Sequence, residues 1–317
     1  MKKLNTEYKI RLSAEALAKE ENTKKPSWIR AKAVSGDMPR KVTETMNHLG
    51  LNSVCEEATC PNRGECWSDG HVTFMILGDV CTRGCLFCDV NFGTPAEPDA
   101  GEPSRIATGI KELDIKHAVI TSVTRDDLED KGTAHFVDVV REIKNTSPEV
   151  TVELLIPDMG AEADLIERIA FSGAEVIGHN VEMPEFLYKE VRPRSDYLRT
   201  LDVLKKLSLF RDEGGADIFV KSSMILGLGE SRADIGCTLE DLKDAGVDIV
   251  YIGQYLSPST GHWNLDKYYE PSEFDELADI ARKMGFWAVC SGPMVRSSYK
   301  AQESYRSALL TRRSFDL

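Results

Sequence analysis

Between residues 72 and 255 the sequence alternates between strand-like and helix-like segments, and this alternation constrains the fold more than any other feature. The strand-like segments are apolar or β-branched and have the length of buried strands; they cover residues 72–77, 117–123, 150–156, 175–181, 217–226 and 247–255. The segments between them carry apolar residues at helical spacing; they cover residues 106–113, 134–144, 162–171, 197–209 and 235–245. This alternation predicts β/α units around a parallel sheet.

Polar residues stand where several of these strands end. Asp126 and Asp127 follow the second strand, Asn180 and Glu182 close the fourth, and Gln254 lies at the end of the sixth. In β/α barrels and in open α/β sheets alike, sites form at the carboxyl ends of the strands. The sequence therefore predicts a functional site at this edge of the sheet.

The segments on either side of this region do not follow the alternation, and we interpret them as extensions. Residues 1–70 form the N-terminal extension, residues 71–257 the β/α region and residues 258–317 the C-terminal extension. The first extension contains a cysteine-rich stretch of loop composition. The second contains a helical pattern at residues 273–284 and a strand-like run at residues 286–290.

Charge and hydrophobicity argue against several classes of function. The 317 residues include 52 acidic and 39 basic residues, for a net charge of −13. Binding to a phosphate backbone requires clustered Lys and Arg, so nucleic acid is not an expected partner. No apolar run approaches the roughly 20 residues that span a bilayer, and the first 25 residues are polar with no secretory signal. We therefore expect a cytoplasmic protein that does not bind a membrane.

Six of the eight cysteines lie between Cys55 and Cys88. A reducing compartment disfavours structural disulfides, so clustered cysteines indicate metal or redox chemistry instead. Cys237 and Cys290 stand alone, and we expect them to be buried thiols without a function.

Cys81, Cys85 and Cys88 form a CxxxCxxC motif directly after the first predicted strand. Three thiolates on one short loop can bind a single metal group, and a 4Fe-4S cluster held by three cysteines keeps one iron open for another ligand. A structural zinc site normally has four ligands, and a redox CxxC pair would leave Cys81 without a role. The motif favours an iron–sulfur cluster, with zinc and a redox dithiol as the alternatives.

A second triplet, Cys55, Cys60 and Cys66, lies in the N-terminal extension. Its three thiols fit a second iron–sulfur cluster better than a four-ligand zinc site. A fourth ligand for this cluster must come from elsewhere in the chain.

The CxxxCxxC motif resembles that of the radical S-adenosylmethionine superfamily, because it follows the first strand of a β/α series and an aromatic residue, Phe87, precedes its last cysteine. The resemblance implies that the open iron binds the amino and carboxylate groups of S-adenosylmethionine, with Phe87 at the cofactor site. Reductive cleavage of this cofactor would yield a 5′-deoxyadenosyl radical.

A longer set of motifs is similar to lipoyl synthases over residues 26–301. The matching stretches are residues 54–67, 78–88, 122–128, 179–182, 227–230, 253–256 and 296–299. The resemblance implies a partial (β/α)6 barrel of the TIM type, in the α/β class, with N-terminal and C-terminal extensions. It implies two 4Fe-4S clusters, one on each cysteine triplet. It assigns the fourth ligand of the auxiliary cluster in the N-terminal extension to Ser298, which would make the C-terminal extension close that site.

Three further residues are candidates for contacts with S-adenosylmethionine. Asn180 and Glu182 can accept hydrogen bonds from a ribose diol, and the planar fork of Arg192 suits the methionyl carboxylate. Each residue is equally consistent with a surface salt bridge or a loop cap.

The resemblance implies insertion of two sulfur atoms at carbons 6 and 8 of an octanoyl chain on a carrier lysine, with the auxiliary cluster as sulfur donor. No side chain need act as a general base in this scheme. The implied partners are an octanoylated lipoyl-carrier domain or H-protein, an electron donor of the flavodoxin or ferredoxin type, and a cluster-repair protein. The alternatives are another radical sulfur-inserting enzyme, such as a biotin synthase, and a two-cluster electron carrier, whose cysteines would be expected to saturate both clusters.

The chain departs from the family pattern in three loops. The loop at residues 256–263 lacks the basic residues that usually precede the corresponding histidine, His262. Residues 130–133 replace a glycine pair, and His71 stands where a small residue is typical. These changes concern carrier docking and leave the predicted cluster ligands untouched.

Overall fold

The computed structural model describes residues 25–315, except for the side chain of Phe315. The expectation of a polar N-terminal segment falls on residues 1–24, which lie outside the described residues. Within the described range, no helix has the length and apolar character needed to cross a membrane.

All six predicted strands are present in one eight-stranded sheet. Numbered along the chain, the strands are β1 Asn52–Ser53, β2 Thr73–Ile76, β3 Val80–Cys81, β4 Asn91–Phe92, β5 His117–Ser122, β6 Thr151–Leu155, β7 Val176–Gly178, β8 Phe219–Leu226, β9 Ile249–Gln254 and β10 Ala288–Gly292. The order in the sheet is β1-β2-β5-β6-β7-β8-β9-β10. All neighbours are parallel except β1, which is antiparallel to β2. Because β1 and β10 end this order, the sheet is an open, partial barrel, as predicted.

The predicted helices are confirmed with small shifts of their ends. The helices are α1 Met38–Leu49, α2 Val54–Glu57, α3 Arg63–Ser68, α4 Glu102–Glu112, α5 Thr133–Thr146, α6 Ala163–Ala170, α7 Glu185–Val191, α8 Tyr197–Asp212, α9 Arg232–Asp244, α10 Pro271–Lys283 and α11 Ala301–Phe315. The helices α1, α2, α3, α7 and α11 were not predicted. For α1 a signal was present, since Pro39 lies in its first turn and Gly50, with φ 61°, ends it in the left-handed conformation.

The strands of the barrel are buried along their whole length at the centre of the sheet. Every residue of β9 is buried, and so are all residues of β8 except one. Side chains from β5, β6 and β8 fill the interior while the helices cover the outer face. This two-sided burial explains why the strand-like runs are continuously apolar.

The parallel sheet continues into the segment that we interpreted as the C-terminal extension. After α10, strand β10 pairs in parallel with β9, with Ala288 opposite Ile249. Without β10, the backbone groups along one side of β9 would lack strand partners. The C-terminal segment therefore adds one more β/α unit before α11.

Candidate active site

The chain turns sharply after β2 and then forms the CxxxCxxC loop. Leu77 has φ 67°, a left-handed conformation that costs on the order of 1–2 kcal/mol for a residue with a side chain. Its backbone N–H donates to the buried carboxylate of Glu102, at 2.8 Å, which holds this turn in place. The loop closes when β3 and β4 pair, with Cys81 opposite Phe92.

All three cysteines of this motif line one cavity of about 890 Å³ at the carboxyl ends of the strands. The cavity also contains the four residues predicted to contact S-adenosylmethionine, which are Phe87, Asn180, Glu182 and Arg192. The structure therefore brings these residues together with Cys81, Cys85 and Cys88 at the predicted edge of the sheet.

Glu182 is held in a strained conformation inside this cavity. Its φ is 65°, and the side-chain amide of Asn180 donates to its carboxylate at 3.0 Å. Burial raises the pKa of Glu182, although the charge of Arg192 opposes the shift. Left-handed conformations of non-glycine residues cost about 1–3 kcal/mol and occur preferentially at functional sites.

Two buried hydroxyl groups test whether this cavity suits a polar ligand. Ser122 Oγ and Ser195 Oγ line it, and neither has a hydrogen-bond partner within residues 25–315. An unsatisfied buried polar group costs about 1–3 kcal/mol. Arg192 lies beside Cys85, where its charge opposes the rise in the pKa of that thiol caused by burial. These unpaired hydroxyls and this cation fit a cofactor with hydroxyl and carboxylate groups.

Arg83, in the middle of the CxxxCxxC motif, was missed by the sequence analysis. Its guanidinium binds Asp126 with two bonds of 2.7 Å and Asp158 with bonds of 2.7 and 2.9 Å. These aspartates follow β5 and β6, so Arg83 ties the cysteine loop to two strand ends. Burial favours the neutral carboxyl of Asp158, but the hydrogen bonds and charge of Arg83 outweigh burial and hold its pKa well below the usual range.

We expect Arg83→Met to destabilise the metal-free protein by about 3–5 kcal/mol, because the buried Asp158 would keep only the more distant Arg199, at 3.7 Å. Urea unfolding under reducing conditions measures this loss. The pKa of Asp158 is lowered by folding from 3.8, so the contribution of the pair is complete above that pH and declines as the pH falls below it. Arg282→Met is the control, since the Arg282–Asp279 pair is exposed and should contribute less than about 1 kcal/mol. Equal losses of unfolding free energy in both variants would contradict the stabilising role of the Arg83–Asp158 pair.

The second triplet lies around a separate cavity of about 500 Å³. Cys55 lies in α2, Cys66 in α3, and Cys60 between these helices, and all three thiols line the cavity. The first residues of β2 and β5, Thr73 and His117, line it as well. This cavity is therefore at the amino ends of the strands, opposite the CxxxCxxC loop.

Ser298, predicted from the family resemblance as the fourth ligand, lines the same cavity. Its Oγ accepts a hydrogen bond from Thr73 Oγ1 at 2.9 Å. Gly253 lets this segment approach β9, since a Cβ at Gly253 would lie 2.1 Å from the carbonyl oxygen of Val295. Tyr299 Oη donates to Glu65 in α3 at 3.2 Å. Contacts to both the sheet and the N-terminal extension thus place Ser298 beside the second triplet.

The thiols of both triplets lie in surroundings that suit a positively charged metal group. Burial, together with the other thiols of each triplet, raises the pKa of Cys66 and the pKa of Cys88 to about 12. Metal binding requires deprotonated thiolates, and the charge of the metal compensates for burial. Within residues 25–315, no three His, Cys, Asp or Glu side chains converge closely enough to hold one metal ion. The ligands of a cubane bind different irons and need not meet at one point.

Four residues near the two sites were not predicted as site residues from the sequence. His71, His117 and Arg296 line the second cavity. His262, from the atypical loop, contacts the carbonyl oxygen of Cys88 at 3.2 Å. The expectation that Cys237 is buried was wrong, because its side chain is exposed on α9.

Two solved structures share the fold at low sequence identity. Methylornithine synthase has a TM-score of 0.53 and 14% identity, covering 86% of this chain and 83% of its own. A maturase of the FeFe hydrogenase also has a TM-score of 0.53 and 14% identity, covering 90% of this chain and 63% of its own. These similarities confirm the partial α/β barrel.

Sequence comparison identifies the family. A model of the Radical SAM superfamily matches residues 75–239. The lipoyl synthase of Methylococcus capsulatus is 46% identical over 281 residues, covering 88% of this chain and 86% of that protein. The lipoyl synthase of Caldicellulosiruptor saccharolyticus is 44% identical over 282 residues, covering 89% of this chain and 98% of that protein. The chain therefore belongs to the lipoyl synthase family, within the radical S-adenosylmethionine superfamily.

Proposed function

We propose that this enzyme inserts two sulfur atoms at carbons 6 and 8 of an octanoyl chain attached to a carrier lysine. The observation that carries the proposal is the placement of two cysteine cavities at opposite ends of one barrel. Neighbouring residues in the interior of the barrel connect them: Val119 and Ser298 also line the second cavity, and Leu155 and Asn180 also line the first. A substrate in this interior would lie between the two sites.

The residues present fit two iron–sulfur clusters and S-adenosylmethionine. Cys81, Cys85 and Cys88 would hold one 4Fe-4S cluster, with Asn180, Glu182, Arg192 and Phe87 around the cofactor. The second triplet and Ser298 would hold the other cluster. When bound, the first cluster and S-adenosylmethionine supply a 5′-deoxyadenosyl radical, and the second cluster supplies sulfur.

The protein itself would orient the substrate and exclude water from it. Val119 and Leu155 point an apolar surface into the barrel, where a methylene chain can pack. The backbone N–H of Trp263 donates to the carbonyl oxygen of Leu86 at 2.7 Å, which ties the loop at residues 256–263 to the cysteine loop. A shielded radical would abstract hydrogen from the substrate and not from solvent or buffer.

We also propose three protein partners and a cytoplasmic location for this enzyme. An octanoylated lipoyl-carrier domain or H-protein would present the substrate, and a flavodoxin- or ferredoxin-type protein would supply electrons. A cluster-repair protein would restore the second site after turnover. The reducing cytoplasm suits the eight cysteines, all of which are free thiols.

The first test is the iron content of the anaerobically reconstituted protein. We expect about eight irons and about eight acid-labile sulfides per chain, because each triplet has its own cavity and each would hold four irons. Colorimetric assays of iron and sulfide measure this, and mass spectrometry of an octanoylated carrier peptide detects sulfur insertion. About four irons per chain, zinc in place of iron, or a peptide without added sulfur would refute the proposed function.

A further inference from the structure

A buried histidine beside the second triplet is held by a charged pair inside the barrel. His117 Nε2 lies 3.3 Å from one carboxylate oxygen of Glu153, and Lys221 Nζ lies 2.6 Å from the other. The side chains of His117, Glu153 and Lys221 are 2%, 4% and 3% exposed. The ring of Tyr305 from α11 packs against His117 with centroids 5.8 Å apart. The imidazole is therefore fixed in position.

The contacts of Glu153 determine which ring nitrogen carries the hydrogen. Burial favours a neutral carboxyl, but the charges and hydrogen bonds of Lys221 and His117 together outweigh burial and keep the pKa of Glu153 below its usual value. An ionised carboxylate only accepts hydrogen bonds, so Nε2 of His117 must donate. Nδ1 is therefore the ring nitrogen that remains for another partner.

The second ring nitrogen of His117, Nδ1, is buried and has no hydrogen-bond partner among the described residues. His117 lines the cavity that contains the second triplet and Ser298. A histidine that donates one ring N–H to a carboxylate and leaves its other nitrogen without a protein partner has the usual arrangement of a metal ligand.

We infer that His117 is a second protein ligand for the iron that no cysteine of this triplet holds, so that Ser298 and His117 share it. The inference rests on the proposed function, which places a cluster in this cavity. Imidazole nitrogen is a better ligand for iron than a serine oxygen. The fourth iron should therefore remain bound through His117 when Ser298 does not hold it.

The experiment removes Ser298 and asks what retains the fourth iron. Full-length Ser298→Ala, reconstituted without S-adenosylmethionine, should hold about eight irons, as the wild type does. Ser298→Ala combined with His117→Phe should hold about seven. Pulsed electron paramagnetic resonance of the reduced Ser298→Ala protein should detect a coupled nitrogen that the double variant lacks.

Matched variants separate ligation from general damage. His48 lies on α1 outside both cavities and contacts the carbonyl oxygen of Glu44 at 3.1 Å, so Ser298→Ala with His48→Phe should keep about eight irons. Should His117→Phe impair folding, His117→Gln replaces it with a side chain of similar polarity, and the same iron loss is expected.

The outcomes distinguish this inference from the proposed function. Wild-type protein with about four irons would refute the proposed function, and the inference with it. Wild-type protein with about eight irons, together with loss of one iron in Ser298→Ala alone or absence of the nitrogen coupling, would overturn only the role of His117.

Discussion

Cys85→Ala is expected to abolish reductive cleavage of S-adenosylmethionine, whereas Cys60→Ala is expected to leave cleavage measurable and to eliminate sulfur insertion. The two thiols line separate cavities at opposite ends of the barrel. Cys85 lies beside Arg192, among the residues that we propose surround the cofactor. Removing Cys85 would destroy the proposed first cluster with its open iron, while removing Cys60 would affect only the site that we propose supplies sulfur.

Two products separate these effects in one reaction. Liquid chromatography measures 5′-deoxyadenosine, and mass spectrometry of the carrier peptide measures inserted sulfur. Cys237→Ala is the matched control, because this exposed thiol lies outside both cavities and its loss should change neither product. If folded Cys60→Ala and Cys85→Ala proteins, each loaded with one cluster, lost cleavage equally, the division of labour would be wrong.

Without a repair partner, the enzyme is expected to make no more than about one lipoyl group per chain, since we propose that its own second cluster supplies the two sulfur atoms. Three thiols and one serine hydroxyl line the second cavity. Neither a serine oxygen nor an imidazole nitrogen is as strong a ligand for cluster iron as a thiolate, so the iron shared by Ser298 and His117 is still the easiest of the four to release. Its release would expose bridging sulfides toward the interior of the barrel, where Ser298 lies near Val119, Leu155 and Asn180.

Isotope labelling tests this sacrificial role. The clusters are reconstituted with heavy sulfide, and the mass of the lipoyl product shows whether its sulfur comes from the protein. Ser298→Cys is the informative variant, because a fourth thiolate should hold the corner iron more firmly and reduce product formation while 5′-deoxyadenosine continues to form. Unlabelled sulfur in the product, or many turnovers without an added sulfur source, would rule out the sacrificial role.

The sequence alone determined the elements whose signals are local. Each strand of the barrel is buried on both faces, so it appears in the sequence as a short apolar run, and the helices between strands show apolar residues at helical spacing. The CxxxCxxC triplet is equally local, because its three thiols lie on one loop. Short or atypical elements, such as α7 and α11, were missed because their burial depends on neighbours distant in sequence.

Only the tertiary structure decided which distant residues complete each site. Arg83 binds Asp158, 75 positions away, and Thr73 binds Ser298, 225 positions away. Sequence similarity pointed to Ser298, but no local pattern indicated Arg83 or His117. His117 opens an apolar strand, and its significance depends on Glu153 and Lys221 from two other strands. Neighbouring side chains determine which polar atoms of a residue are already paired and which remain available. In a parallel barrel those neighbours come from strands separated by whole β/α units.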